Sequence, residues 1–210
     1  VGVKDHDLDL FEGQYVVPNG MAYNSYIIMD EKTAVMDSVD AHFFDEWMAN
    51  IKNVLGDKAP DYIVVSHMEP DHSGSLARFM AAYPSATVVA SAKAFTFMKQ
   101  FYGEEYEDRR IVSAEGNELS LGKHSLKFFA APMVHWPEVL MAYDDNSKAL
   151  FSADAFGTFG ALDGGLFADE YDYERDFLDS ARRYYANIVG KYGMQVQAVL
   201  KKASGLDIQM

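Results

Sequence analysis

The run Asp61-Tyr-Ile-Val-Val-Ser66 constrains this chain more than any other feature. A short, continuous apolar stretch reads as a strand buried on both faces, and such a strand needs a layer above it and another below. The flanking segments supply material for those layers. Upstream, Phe43, Phe44, Trp47, Met48, Ile51, Val54 and Leu55 fall at helical spacing, and Gly56 closes the helix. Downstream, Leu76 to Tyr83 reads as a helix stopped by Pro84, Ala86–Ala90 as a strand, and Lys93–Tyr102 as a helix stopped by Gly103. Before all of these, Gln14–Val17 and Asn24–Met29 are β-rich, and the turn Asp30–Glu31 leads into Lys32–Asp37 to make a hairpin.

The second half changes character. Glu118–Leu121, Ser125–Ala130, Val139–Tyr143 and Ala149–Ser152 read as consecutive short strands between Gly or Asp-Asn turns. A long helix from Tyr173 to Val189 and a second over Gln195–Ala203 end the chain. Two β-rich halves, each with covering helices, imply an α/β protein built as an αββα four-layer sandwich. No repeat, low-complexity stretch or Pro/Gly-rich linker divides residues 1–210, so one domain is expected.

Composition removes whole classes of function. There is no cysteine, which excludes disulfides, thiolate-held metals and cysteine nucleophiles. Any bound metal must use nitrogen and oxygen ligands, which leaves Zn, Fe, Mn, Mg or Ca. A formal charge of −14 argues against a nucleic-acid partner, which needs clustered Lys and Arg. No apolar run approaches the roughly 20 residues of a membrane span. Nor does a basic segment followed by an apolar stretch open the chain. The expectation is a soluble, cytoplasmic protein with no nucleic-acid or membrane partner.

The chemistry concentrates where the buried strand ends, in His67-Met-Glu-Pro-Asp-His72-Ser-Gly. Open sheets commonly place ligand sites at the carboxyl ends of their strands. Here His67, Glu69, Asp71 and His72 stand together with no Lys or Arg to balance them. His67 and Glu69 are two apart, so an extended stretch sends them to one side, and Asp71 and His72 can turn toward a second point. The plain alternative is a polar lead-in to the next helix, with Asp71 or Ser73 as its cap. A cap accounts for one such residue and leaves four converging polar groups unneutralised, which is costly without a cation. His135 and Asp154 stand just after two later strands. Singly, each is equally a core histidine or a turn aspartate; their shared place at strand ends favours a site. An aspartate can bridge two cations through its two oxygens.

These residues resemble a known family. The pattern His67-x-Glu69-x-Asp71-His72, then His135, then Asp154 in Phe-Ser-Ala-Asp-Ala-Phe-Gly, is similar to the diiron domain of flavodiiron proteins. The likeness extends to Asn19-Gly-Met-Ala-Tyr-Asn-Ser-Tyr26 and to Arg182-Arg-Tyr-Tyr-Ala-Asn-Ile188, and so covers nearly the whole chain. It implies a metallo-β-lactamase-like αββα fold holding two Fe ions. Hydrolases of that superfamily look like His-x-His-x-Asp-His, and Glu69 here replaces the middle imidazole with a harder, anionic oxygen that suits ferric iron. Carried over position by position, the resemblance gives one iron His67, Glu69 and His135. It gives the other Asp71, with His72 either a ligand or a residue behind one, and Asp154 between the two.

The resemblance further implies reduction of O2 to water or NO to N2O. Electrons would come from FMN of the partner subunit in a head-to-tail homodimer, fed by an external donor such as rubredoxin. Family members carry one more histidine ligand in a segment that should begin beyond Met210, and a flavodoxin-like FMN domain. Neither lies within these residues, so the chain is expected to be a piece of a longer protein whose second metal is weakly held or absent. Tyr184 and Tyr185 are the side chains, beyond the ligands, that could offer a hydrogen bond or proton to bound O2 or NO. Tyr23, Tyr26, Trp136, Phe156 and Phe159 are candidates for a dry pocket, with plain core packing as the alternative. Two further readings remain: a binuclear zinc hydrolase of the same fold, and a metal-free domain kept for assembly. Zinc could also occupy an iron site in recombinant material, because affinity order favours it over ferrous iron.

Overall fold

The hairpin at Asp30–Glu31 forms, with β5 (Tyr26–Ile28) antiparallel to β6 (Ala34–Met36) in a computed structural model that describes residues 1–161 and 164–210. The apolar run supplies β7 (Tyr62–Val64), parallel to β6, and β8 (Thr87–Ser91) and β9 (Arg110–Ser113) follow in parallel. The sheet order is β5-β6-β7-β8-β9. Parallel neighbours need crossovers, and these are α1 (Phe44–Leu55), α3 (Leu76–Ala82) and α4 (Ala92–Tyr102). A four-residue helix, α2 (Pro70–Ser73), precedes α3.

Alternation along the central strands divides the core in two. Val35, Ile63 and Val88 join Trp47, Ile51, Phe79 and Met98 of the helices. Ala34, Met36, Val64 and Val89 join Leu126, Phe128, Leu140 and Ala142 of a second sheet. That sheet runs β10 (Glu118–Ser120), β11 (Ser125–Ala130), β12 (Leu140–Asp144) and β13 (Ala149–Phe151), antiparallel throughout. Met141 shares the first core with Val196 and Val199 of α7 (Gly193–Ala203). The layers are therefore helix, sheet, sheet, helix, as expected. Among the described residues, no helix is long and apolar enough to cross a membrane.

Two small ribbons at the amino-terminal end differ from the expected strands. β1 (Val3–Asp5) pairs with β4 (Met21–Tyr23), and β2 (Leu10–Phe11) with β3 (Tyr15–Val16). β9 also lacks a sequence signal, because Ile111 and Val112 are exposed and alternation does not mark it. The long helix expected over Tyr173–Val189 is broken. It divides into α5 (Tyr173–Asp176), α6 (Leu178–Tyr184) and a π turn over Tyr185–Val189. Phe177 leaves helical geometry at φ −127° and packs on Tyr171 and Tyr173, with ring centroids 5.3 and 6.1 Å away. The wide π turn adds a residue to the helical repeat, so Tyr184, Ile188 and Val189 are all buried.

Candidate metal centre

The site begins with how β7 ends. The Ser66 N–H and hydroxyl donate to the two oxygens of Asp37 at 2.6 and 2.5 Å. Asp37 follows β6 in the left-handed region at φ +54°, a conformation that aspartate tolerates better than most residues. The Leu140 N–H donates to the Ser66 carbonyl at 2.9 Å, tying the second sheet to the same spot. Pro70 then opens α2, where its missing N–H and fixed φ cost nothing. Asp71 and His72 ride on that turn. The capping alternative is corrected here. Ser75 starts α3 without a side-chain cap bond, and the Ser73 hydroxyl donates to the Met68 carbonyl at 2.8 Å.

The six candidate residues come together in two groups that share Asp154. In the first, His67 Nε2 lies 3.3 Å from Glu69 Oε2, 3.4 Å from His135 Nε2 and 3.2 Å from Asp154 Oδ2. His135 Nε2 is 2.9 Å from both Glu69 Oε2 and Asp154 Oδ2. In the second, His72 Nε2 is 2.8 Å from Asp154 Oδ1 and 3.8 Å from Asp71 Oδ2. One carboxylate therefore offers a different oxygen to each group. Tyr184 is buried and its hydroxyl is pushed well up by burial, then by the neighbouring Asp154 charge. Tyr185, at 40% exposure, opens the π turn at the surface.

Two observations fit this donor set to cations. Asp154 Oδ2 is close to two ring nitrogens, yet it is out of line for a hydrogen bond with either and is buried without a partner. Asp71 Oδ1 is buried without a partner as well. The four atoms of the first group all lie within 4.8 Å of one another. Donors about 3 Å apart are what ligands about 2 Å from one shared ion produce. Two imidazole nitrogens facing each other at 3.4 Å also leave no room for a proton on each.

The direction of each pKa shift follows from how closely the groups are packed. Burial opposes charge on His135, but the close Asp154 and Glu69 carboxylates outweigh it and hold the ring up at about 9. Burial likewise opposes charge on His67, and Asp154, Glu138 and Glu69 overcome it, so its pKa is well above the ordinary value. Burial would raise Glu69 and Asp154, but the facing histidines draw both carboxyls down. Asp71 goes the other way, up to about 7, through burial and then the like charges of Asp154 and Glu69 against His72. Without a metal the site thus favours protons on its histidines, though not one on each of the facing His67 and His135 Nε2 atoms. A cation would displace them.

Three residues of the site escaped the sequence reading. Glu138 is buried, and its Oε1 lies 2.7 Å from His67 Nδ1 and accepts from the Met68 N–H at 2.9 Å. Asp37 Oδ2 is 3.1 Å from His72 Nδ1. Glu12 sits with Gln14, Tyr15, Glu69, His135 and Trp136 around a cleft of 310 Å³ that opens onto the first group. Burial and the nearby Glu69 raise Glu12 to about 7. The signal for Glu138 was present in the Trp-Pro-Glu that follows His135; Asp37 is distant in sequence from Ser66 and His72, and Glu12 from Glu69 and His135.

Residues 21–210 match the family model described as ODP family beta lactamase. The chain belongs to this family. Its relatives are flavodiiron proteins. It is 34% identical to the anaerobic nitric oxide reductase flavorubredoxin of Aliivibrio fischeri, over 99% of this chain and 42% of that one. The flavodiiron protein from Giardia intestinalis superposes with a TM-score of 0.92 at 33% identity, covering 99% of this chain and 50% of the other. The rubredoxin oxygen:oxidoreductase of Desulfovibrio gigas gives 0.91 at 32% identity, covering 98% and 50%. The chain thus spans about half the length of the flavodiiron relatives it matches. Its fold is metallo-β-lactamase-like, as the resemblance implied.

Proposed function

We propose that residues 1–210 form the diiron domain of a flavodiiron-type oxidoreductase that reduces O2 to water, NO to N2O, or both. The observation that carries the reading is Asp154, whose Oδ2 belongs to one donor group and whose Oδ1 belongs to the other. His67, Glu69 and His135 would complete the first ion's set, and Asp71 with His72 the second's. Three carboxylates among these ligands suit iron better than a histidine-rich zinc site would. The redox names of the relatives do not favour the hydrolase alternative.

When bound, the two irons would supply the electrons and open coordination positions that reduction of a diatomic gas requires. The chain does the rest. His67 and Glu69 are sealed from solvent, which keeps the donor set fixed and dry. Tyr184 holds its hydroxyl proton close to the Asp154 carboxylate. Reduction of O2 consumes four electrons and four protons to give two waters. Reduction of two NO consumes two of each to give N2O and one water. We assign the electron supply to an FMN group outside these residues and a rubredoxin-type donor, which the names flavodiiron protein, flavorubredoxin and rubredoxin oxygen:oxidoreductase support, and propose a head-to-tail homodimer as the assembly.

The test is gas consumption by the iron-loaded chain with chemically reduced FMN as donor. Consumption of O2 or NO that disappears in Asp154→Ala supports the proposal. Full iron loading with no consumption of either gas overturns it.

A further inference from the structure

The two histidines flanking Asp154 are each backed by a carboxylate that does not join the donor groups. Glu138 Oε1 takes His67 Nδ1 at 2.7 Å and the Met68 N–H at 2.9 Å. Asp37 Oδ2 takes His72 Nδ1 at 3.1 Å, while its Oδ1 takes the Ser66 N–H at 2.6 Å. An ionised carboxylate only accepts hydrogen bonds, so the proton of each neutral ring sits on Nδ1 and the Nε2 lone pair faces the cluster. The two carboxylates stand on different elements, Asp37 after β6 and Glu138 in the loop that also carries His135. They share no hydrogen-bond partner.

We infer that Glu138 and Asp37 are positioning residues with divided duties, Glu138 for the His67 position and Asp37 for the His72 position. The inference rests on the two-ion reading above and adds an asymmetry that the hydrogen bonds dictate. At Glu138, one oxygen receives both N–H groups. An amide there keeps that oxygen in place, and the His67 tautomer survives. At Asp37, one oxygen is committed to the Ser66 N–H. The other corner of an amide is then an NH2 that faces His72 Nδ1, and the ring must move its proton to Nε2, away from ligation. Amide substitution is thus silent for ligation at one carboxylate and disabling at the other.

The experiment is cobalt(II) titration of the whole chain against a competing chelator, read by visible absorption, which gives one affinity for each ion. Asp37→Asn should weaken one ion by about 10- to 100-fold, and Glu138→Gln should leave both within about threefold. Glu138→Leu, which removes the acceptor altogether, should weaken the other ion by a similar 10- to 100-fold. Long-range 1H–15N spectra of the zinc-loaded Asp37→Asn chain should show the His72 proton on Nε2. If Glu138→Leu does not fold, the contrast between the two amide variants carries the test alone. Equal effects of Asp37→Asn and Glu138→Gln, or loss of both ions together in Asp37→Asn, would overturn the inference and leave the two-ion reading standing. A wild-type chain that takes up fewer than two cobalt ions would overturn the two-ion reading and the inference with it.

Discussion

One donor group is sealed and the other borders solvent. His67, Glu69, His135 and Asp154 are all buried, with His67 at 0% exposure, whereas Asp71 and His72 are only partly covered. The sealed group has four donors from three separated stretches of chain, and the open group has three donors, two of them adjacent in α2. In the proposed reading burial would make the first the tighter position, because its carboxylates have no water to turn to. The second keeps the freedom to exchange ligands. The proposed function, which needs metals held and a gas admitted, would use both kinds of position.

Removing what the two groups share should have the largest effect. Asp154→Asn takes a charge from both positions and should lower bound iron from two per chain to below one, measured by elemental analysis after desalting. Selective retention of one tightly bound ion would show that Asp154 serves a single position.

Next come the histidines. His67→Ala should empty the sealed position and leave the buried Glu138 without its imidazole partner, with only the Met68 N–H on it, costing about 3–5 kcal/mol in urea unfolding of the metal-free chain. His72→Ala, at the more open group, should cost far less and leave one ion bound. Equal losses in the two variants would erase the distinction between the positions.

Protons sharpen the comparison further. The folded chain holds a proton on His135 up to about 9, against an ordinary value of 6.5, so this stability is complete below 6.5 and lost as pH rises toward 9. Asp71, raised to about 7, likewise binds its proton more tightly when folded, so stability falls between about 3.8 and 7. Denaturation of the metal-free chain should therefore show it weaker by about 1–3 kcal/mol at pH 9 than at pH 6. Metal affinity should run the opposite way and rise with pH, with protons released on binding. Flat stability over that range would mean the groups do not interact as the structure shows.

The smallest effect concerns Tyr184. A Cβ on Gly157 would meet its ring at 3.0 and 3.1 Å. Gly157→Ala should cost about 1 kcal/mol by forcing the ring aside. An unchanged melting temperature would show that the ring is free to move.

The sealed and open groups also differ in how far the sequence revealed them. Asp71 and His72 are neighbours of His67 and Glu69, and the dense run after a buried strand announced all four. His135 and Asp154 were legible only as residues at strand ends, and the family pattern joined them to the rest. The αββα layering followed from the apolar run and the strand-rich second half. What stayed hidden depends on long-range packing. Asp37 gains its partner through strand order in the sheet, and Glu12 reaches the cleft through a two-residue ribbon too short to show periodicity. The break at Phe177 arises from aromatic contacts with Tyr171 and Tyr173 that override helix spacing.

The central claim is that two irons share Asp154, and Mössbauer spectroscopy of the anaerobically prepared, iron-57-loaded and then oxidised chain tests it most directly. The account predicts two irons per chain in distinct environments, with magnetic coupling that is lost in Asp154→Ala. Two uncoupled ferric signals, or a single iron site at full loading, would contradict it.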